Sequence, residues 1–303
     1  MPAGYWMASH NQRTHTVKPL ASRGLDRPSV AIALGGGGAR GIAHVLALEA
    51  LDELGIRPIA VAGTSMGAVV GAAYAAGIEG TAIRAHILRV LRNRSDVMSK
   101  LLRARVGRFV ELLLQGRGNP VLLDPEICLD LFWPAEMPSR FEDLAIKAIV
   151  VATDYLKREE IVYETGPLRP AVAGSMAIPG LFRSVAFGDR VLIDGGAVNP
   201  LPYNLLFGLA DIVVAIDVTF GSRPRRRPPS PLASMFGAAQ IMQGAITAQK
   251  IKLRPPDILV RPKVEQFAVL DFFRASQILR AAESYKDELK FMIVDRMKAL
   301  WRA

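Results

Sequence analysis

The chain has 303 residues, of which 50% are hydrophobic and 22% are charged, and its formal net charge is +10. This is the composition of a folded globular protein and excludes a disordered chain. The single cysteine, Cys128, excludes an internal disulfide framework, cannot form a zinc cluster alone, and favours a reducing, cytoplasmic compartment.

The N-terminal part of the chain predicts a tail followed by buried elements. Residues 1–28 are polar, short of acidic residues and without the apolar core of a secretory signal, so we expect a flexible tail. Residues 59–78 are uncharged and long enough to suggest a membrane span. Their glycines and hydroxyl side chains favour a buried strand and helix instead, and we expect no transmembrane segment.

Apolar runs along the rest of the chain predict an α/β protein. Five continuous runs are typical of buried parallel strands, at 30–34, 58–62, 148–152, 191–193 and 212–218. Helical patterns occur at 41–55 and after residue 66, and residues 81–115 have the spacing of two amphipathic helices. This alternation predicts a sheet covered by helices on both faces.

Beyond these runs the pattern becomes less regular. Residues 158–166 resemble a hairpin arm, and residues 221–232 form a Pro/Arg-rich linker. After the linker we expect helices at 232–249 and 271–300, with a short strand at 257–262 between them.

Positive charge is concentrated in two places. Residues 81–108 carry eight basic side chains against one acidic side chain, and residues 223–229 read RPRRRPP. Neither cluster has the interleaved aromatic residues that stack on bases, so we expect no nucleic-acid partner. An anionic surface is one partner that such clusters fit, and a solvated basic face is the alternative.

A serine flanked by glycines follows the second apolar run, in Gly63-Thr64-Ser65-Met66-Gly67. A tight turn between a strand and a helix is a common way to present a nucleophilic serine. Its hydroxyl needs a base, which is usually a histidine that follows an acid later in the chain. Here only His86 follows Ser65, and it lies in the arginine-rich region.

Two other residues are candidate bases. His44 lies inside the first predicted helix, where its alanine, valine and leucine neighbours are also typical of a packed histidine. Asp194 ends the fourth apolar run and is followed by Gly195 and Gly196, which leave room for a hydroxyl at about 2.6–3.2 Å. The alternative for Asp194 is a turn residue that bonds to nearby backbone.

A glycine-rich turn, LGGGGARG at 34–41, lies between the first strand and the first helix. Through Gly36, Gly38 and Gly41 it matches the G-x-G-x-x-G of dinucleotide sites. However, the acidic residue expected at the end of the next strand is absent.

An oxyanion hole is the other use of such a turn. The amides of Gly37 and Gly38 are then the donors, assisted by the N-terminus of the following helix. Arg40 either fixes the turn by bonding to backbone carbonyls or contacts a substrate phosphate.

Together these motifs resemble the patatin-like phospholipases. The glycine turn 36–41, the serine turn 63–67 and Asp194-Gly-Gly occur in that family's order, and AVAGSMAIPGLFRSV at 171–185 resembles its A-x-x-A-S-x-A-I-P-x-x-F segment. The resemblance covers about residues 28–220 and is strongest to small bacterial members near the neuropathy-target-esterase branch.

The resemblance implies a three-layer α/β/α fold with a mostly parallel central sheet, in a catalytic domain at 29–220. The linker and a helical extension, 221–303, would pack on that domain. It also implies a Ser65–Asp194 dyad without histidine or metal, acting on lipid esters as a phospholipase, lysophospholipase or esterase. Peripheral contact with an anionic membrane fits this activity. A non-catalytic lipid-binding protein and a nucleotide-binding protein remain the alternatives.

Overall fold

An eight-stranded, mostly parallel sheet organises the protein. We describe residues 27–106, 122–221 and 231–302 of a computed structural model. The strands of the sheet are β1 (Val30–Leu34), β2 (Ala60–Thr64), β5 (Lys147–Asp154), β6 (Glu159–Tyr163), β7 (Val185–Phe187), β8 (Arg190–Asp194), β9 (Ile212–Ile216) and β10 (Ile258–Val260). Their order is β10-β9-β1-β2-β5-β8-β7, with β6 also paired to β5. A separate pair is formed by β3 (Arg105–Val106) and β4 (Leu122–Leu123).

Nine described α-helices surround the sheet. They are α1 (His44–Glu53), α2 (Met66–Ala75), α3 (Gly80–Arg92), α4 (Arg94–Arg103), α5 (Pro125–Leu129), α6 (Leu168–Ser175), α7 (Pro231–Leu253), α8 (Ala275–Ala282) and α9 (Ser284–Trp301). A 3-10 helix, Gly38–Ala43, leads into α1, and two more follow β8 at Gly195–Ala197 and Pro202–Leu206.

Strand β5 brings the ends of β2 and β8 together. β2 and β6 both pair with Val150 and Val151, so they lie on opposite edges of β5. β6 and β8 both pair with Ala152 and the two residues after it, so β8 lies on the same edge as β2. β2 runs up that edge to Thr64, opposite Val151, and β8 runs down it to Asp194, opposite Ala152. The residue after β2 is therefore placed beside the end of β8.

Alternate residues of the strands divide the core between the two faces of the sheet. Ile32, Val61 and Val150 face the larger cluster, to which the helices α1, α2, α3, α6, α8 and α9 contribute. Ala33, Ala62 and Ile149 face a smaller cluster. That second face is covered by the 3-10 segment Pro202–Leu206 and the end of α7, which contributes Ile251. The period-2 alternation is that of strands buried on both faces.

The C-terminal residues are integrated into this fold. β10 extends the sheet beside β9 in parallel. On α1, the buried carboxylate of Glu49 pairs with Arg84 of α3 at 3.3 Å and with Lys286 of α9 at 3.4 Å. The hydroxyl of Tyr285 donates to the carbonyl of Ala43 at 2.5 Å. These contacts attach α9 to the helix that follows the glycine turn.

The α/β class and the mostly parallel sheet are confirmed. β2 begins at Ala60 rather than at residue 58. Pro58 has no N–H to donate, and the first hydrogen bond to β1 runs from the Ile59 N–H to the carbonyl of Val30, at 2.9 Å. The second amphipathic helix, expected to continue through residue 106, ends at Arg103, since Arg105–Val106 pairs with Leu122–Leu123 instead. The remainder of that prediction, the N-terminal tail up to residue 26 and linker residues 222–230 lie outside the described residues.

Within the described ranges, no helix is long and apolar enough to cross a membrane.

Candidate active site

Ser65 occupies a sharp turn between β2 and α2. Its backbone has φ 54° and ψ −124°, and its side chain is 4% exposed. A backbone conformation of this kind costs a non-glycine residue about 1–3 kcal/mol, so the neighbours must hold it in place. They do so by close packing: a Cβ on Gly63 would lie 2.6 Å from Cα of Ala68, and one on Gly67 would collide with the carbonyl oxygen of Leu34. The two glycines therefore allow the strained serine.

The Ser65 hydroxyl donates a hydrogen bond to Oδ2 of Asp194 at 2.7 Å. The other carboxylate oxygen, Oδ1, accepts the amide of Gly196 at 2.7 Å, which fixes the plane of the carboxylate. Asp194 is 5% exposed, and this burial raises its pKa to about 6, against the opposing effect of the bonds from Ser65 and Gly196. A serine hydroxyl and a carboxylate in direct contact can exchange a proton.

Ser175, at the end of α6, links the serine turn to β5 through its hydroxyl. Its hydroxyl donates to the carbonyl of Val151 at 2.5 Å and accepts the backbone N–H of Ser65 at 2.9 Å. It is fully buried. Ser175 is a site residue that the sequence motifs do not single out. Its signal was a lone hydroxyl in the apolar stretch AVAGSMA, within the segment that resembles the family motif.

Backbone bonds position Asp194 and the residue before the serine. The amide of Asp194 donates to the carbonyl of Ala177 at 3.0 Å, and the Asp194 carbonyl accepts the hydroxyl of Thr153 at 2.9 Å. The Thr64 hydroxyl donates to the carbonyl of Asn199 at 2.8 Å. A Cβ on Gly195 would collide with the carbonyl of Val151, so this glycine lets β8 end against β5.

The glycine turn after β1 lies next to Ser65. A Cβ on Gly36 would be 3.4 Å from Cβ of Ser65. The amide of Gly36 donates to the carbonyl of Pro200 at 2.9 Å, and the amide of Ala39 donates to the carbonyl of Val269 at 2.8 Å. Between them, the amides of Gly37 and Gly38 have no acceptor among the described residues. Two adjacent amides are therefore available beside the serine.

The turn is held in shape by its own residues. Arg40 is buried, and its Nε donates to the carbonyl of Phe267 at 2.7 Å, as expected for an arginine that fixes the turn through a backbone carbonyl. Gly41 packs against the serine turn, because a Cβ there would lie 2.6 Å from Cγ of Met66. Met66 itself is buried and belongs to the larger core cluster.

His44 supports the glycine turn and is not hydrogen-bonded to Ser65. Its Nε2–H donates to the carbonyl of Gly35 at 2.7 Å. It is fully buried, and burial lowers its pKa to about 4, against the raising effect of the bond to Gly35, so the ring is neutral at pH 7. His86 lies on α3, where burial and then Arg89 lower its pKa. The Ser65 hydroxyl is directed to Asp194 rather than to either histidine.

An open groove of about 450 Å³ lies next to the paired ends of β5 and β8. It is lined by Thr153, Tyr155, Leu156, Arg158, Ile193 and Val198. Thr153 and Ile193 face each other across β5 and β8, directly next to the pair Ala152 and Asp194. Because successive side chains of a strand alternate between the two faces of the sheet, Thr153 and Ile193 lie on the face opposite to the Asp194 carboxylate.

Comparison with known proteins identifies relatives of this arrangement. The model of the family described as "Patatin-like phospholipase" matches residues 32–207, which is more than half of the chain. An NTE family protein of Mycobacterium tuberculosis is 35% identical over 214 residues, which cover 70% of this chain and 55% of that protein. The "Lysophospholipase NTE1" of Debaryomyces hansenii is 25% identical over 316 residues, covering 92% of this chain and 20% of the yeast protein.

The chain therefore spans about half the length of the mycobacterial relatives and about a fifth of the yeast one. Among solved structures, VipD from Legionella pneumophila has a TM-score of 0.46 and 13% identity, covering 87% of this chain and 66% of VipD. Human GIVD cytosolic phospholipase A2, bound to methyl gamma-linolenyl fluorophosphonate, has a TM-score of 0.47 and 13% identity, covering 93% of this chain and 60% of that one. On the match of the family model, the chain belongs to the patatin-like phospholipase family.

Proposed function

We propose that the protein is a serine acyl-ester hydrolase that acts on lipids, with Ser65 as nucleophile and Asp194 as base. The observation that carries the proposal is the 2.7 Å hydrogen bond from Ser65 Oγ to Asp194 Oδ2, on a backbone with φ 54°. A non-glycine residue held in such a conformation points to function, because the strain is retained only where the surroundings enforce it.

The chemistry follows from these contacts. As Ser65 Oγ attacks the ester carbonyl, Asp194 takes the hydroxyl proton and the amides of Gly37 and Gly38 stabilise the oxyanion. The C–O bond to the alcohol then breaks, and the alcohol leaves with the proton from Asp194. In the second half, a water attacks the acyl-enzyme, Asp194 takes its proton, and Ser65 is released with the proton returned. Each half begins and ends with Asp194 ionised.

The electrostatics of Asp194 suit this role. A carboxylate with its usual pKa is a weak base at neutral pH, whereas one raised to about 6 is ionised at pH 7 and still accepts a proton in the transition state. The Thr153 hydroxyl donates to the backbone carbonyl of Asp194, and the Gly196 amide donates to its carboxylate. These two bonds keep the carboxylate directed at Ser65 without neutralising it. The Ser65 hydroxyl donates to Asp194 and not to His44, whose pKa near 4 makes it a weaker base than Asp194.

The surroundings support an apolar acyl substrate. Asp194 bonds to Ala177, and the residues that follow Ala177 include half-buried Ile178, Leu181 and Phe182, beside the site. The yeast relative is a lysophospholipase by name, which supports a lipid ester as the substrate. Contact with an anionic membrane belongs to the same proposal, because such substrates reside in lipid surfaces. The cytoplasmic location stays a prediction.

The dinucleotide alternative has little support. In a dinucleotide site an acidic residue near the end of the second strand binds the ribose. Here β2 ends at Thr64, whose buried hydroxyl bonds to the Asn199 carbonyl, and Ser65 follows. The non-catalytic lipid-binding alternative is tested by asking whether Ser65 reacts.

The test is the intact mass of the protein after incubation with a long-chain alkyl fluorophosphonate. We expect a single adduct on the wild type, no adduct on Ser65→Ala, and strongly slowed labelling of Asp194→Asn. The matched control is Ser276→Ala, an exposed serine on α8, which should label like the wild type.

A folded wild type that takes up no adduct would overturn the proposal and favour the non-catalytic lipid-binding protein. An adduct that persists in Ser65→Ala would place the nucleophile elsewhere. Unchanged labelling of Asp194→Asn would remove Asp194 as the base.

A further inference from the structure

Helix α7 crosses the carboxyl end of the sheet beside the dyad. Near its start, Met235 packs on Gly180, where a Cβ would lie 2.5 Å from Cε of the methionine. In its middle, Gln243 packs on Gly196, the residue whose amide binds Asp194. Near its end, Lys250 donates to Asn204 at 2.7 Å, on the smaller-core side. The helix therefore passes from the α6 side of the sheet, over the end of β8, to the other side.

The outward side of α7 is apolar. Residues 231–249 contain no charged side chain. Ile241 is 74% exposed, Met242 60% and Met235 46%. A surface helix of a globular protein normally shows charged and polar residues on the side away from the core. An exposed apolar side at the entrance to a site marks a surface that is covered in use.

Other exposed apolar side chains lie at the same end of the sheet. Tyr155 and Leu156 follow the carboxyl end of β5 and are more than half exposed. Leu270 follows Val269, whose carbonyl binds the glycine turn, and is also exposed. We call these residues with those of α7 the apolar rim: Tyr155, Leu156, Met235, Ile241, Met242 and Leu270. It borders the dyad and the two free amides.

Cationic side chains accompany the apolar rim. Lys157 and Arg158 are exposed in the turn that carries Tyr155 and Leu156, and they are followed by exposed Glu159 and Glu160, so this turn adds no net charge. On α4, Arg94 lies over the ring of Phe273 at 5.3 Å, three residues after Leu270. Arg92, which ends α3, is exposed and has no carboxylate partner within the described part of the chain. The net positive charge beside the apolar rim therefore comes from Arg92 and Arg94.

We propose that the apolar rim docks on the surface of an anionic phospholipid bilayer and places Ser65 at the level of the head groups. This inference rests on the proposed function, because it identifies where the lipid substrate is met. Apolar side chains enter the boundary between head groups and acyl chains, while lysine and arginine stay at the anionic head groups. The combination of exposed aliphatic groups with unpaired cations favours this occupant over a second copy of the chain, whose own Arg92 and Arg94 would repel it.

The experiment measures co-sedimentation with vesicles of phosphatidylcholine alone and of phosphatidylcholine with 30% phosphatidylglycerol. We expect binding to the anionic vesicles, weakened about tenfold or more by Ile241→Glu and about thirtyfold by Arg94→Glu, since each unit of charge near such a surface contributes about 1 kcal/mol and the reversal changes two. Matched controls lie at the amino end of the strands: Ile59→Glu and Arg57→Glu replace exposed residues there and should bind like the wild type. Labelling of Ser65 by the fluorophosphonate without vesicles should be the same in all five proteins.

Several outcomes would overturn docking by the apolar rim. These are absence of binding to anionic vesicles, equal loss with Ile59→Glu, or concentration-dependent dimerisation that Ile241→Glu abolishes while vesicle binding persists. Failure of the proposed function looks different, because the wild type would bind vesicles as expected while Ser65 takes up no phosphonate. A wild type that labels and does not bind anionic vesicles would retain the hydrolase and reject the docking surface.

Discussion

The turns after β1 and β2 are neighbours on adjacent strands, both are rich in glycine, and both lead into a helix. They use glycine in opposite ways. In the turn after β1, Gly37 and Gly38 contribute their own backbone amides, which have no acceptor among the described residues. In the turn after β2 the presented residue is Ser65, and Gly63 and Gly67 are the supports that let neighbouring backbone approach.

The supports of the two turns differ as well. The glycine turn is held by bonds from outside its strand: Pro200 accepts the amide of Gly36, Val269 that of Ala39, and His44 donates to Gly35. The serine turn is held by two buried hydroxyls: that of Ser175 accepts the amide of Ser65, and that of Thr64 donates to the carbonyl of Asn199. A turn that presents backbone needs its own backbone fixed at many points. A turn that presents a side chain needs one fixed backbone position and a partner for that side chain, which is Asp194.

The largest effect is expected from removing that partner. Asp194→Asn keeps the shape of the carboxylate and loses the base, so kcat on a soluble ester should fall about 10³–10⁴-fold, measured by steady-state kinetics at pH 8. His44→Leu is the comparison, because it removes a support of the neighbouring turn only, and we expect a loss of about tenfold. If Asp194→Asn kept most activity while His44→Leu lost it, the dyad would be wrong.

The pH dependence separates the same two residues. In the wild type kcat/KM should rise with pH through about 6, because Asp194 must be ionised, and His44→Leu should leave that midpoint in place.

The folded pKa of Asp194 lies above its unfolded value of 3.8, so the wild type should lose about 3 kcal/mol of stability as pH rises from about 4 to 7. Asp194→Asn should lack that loss in urea unfolding. A parallel loss in both proteins would contradict the shift.

A smaller effect is expected from the glycine turn. Gly38→Ala places a Cβ against the carbonyl of Val269 at φ 56°, so it should shift the two amides and lower kcat about 10²–10³-fold, the usual effect of losing one oxyanion donor. Gly55→Ala is the matched control, with φ 62° and open space around the new Cβ. Both variants carry the conformational cost of about 1–2 kcal/mol. Equal activity in the two would mean that the amides of this turn do not act on the substrate.

The parts of this site that short sequence motifs encode could be predicted. Ser65, Asp194 and the glycine turn were all predicted, and the structure places the three together because β5 joins the ends of β2 and β8. That juxtaposition is a matter of strand order, which periodicity does not specify. The end of the second amphipathic helix was missed for a related reason: a two-residue pairing with Leu122–Leu123 overrides the local helical spacing.

The supports were the least predictable part. Arg40 and His44 could be named from the sequence, but each was left with two readings, since the choice depends on which carbonyl it reaches: Phe267 for one and Gly35 for the other. Helix α7 was predicted as a helix, whereas its course across the end of β8 depends on contacts to Gly180 and Gly196 that no local pattern carries.

The smallest effect is expected at Ser175, the residue that only the structure identifies. Ser175→Ala leaves the amide of Ser65 and the carbonyl of Val151 without their shared partner, which costs about 1–3 kcal/mol of stability. Because the amide bond helps to hold φ of Ser65, kcat should fall about tenfold with KM and the pH midpoint unchanged. Ser276→Ala, on the surface of α8, is the control and should change neither quantity. A loss of stability without any change in kcat would show that the strained serine is held by Gly63 and Gly67 alone, and that Ser175 stabilises the fold without positioning the nucleophile.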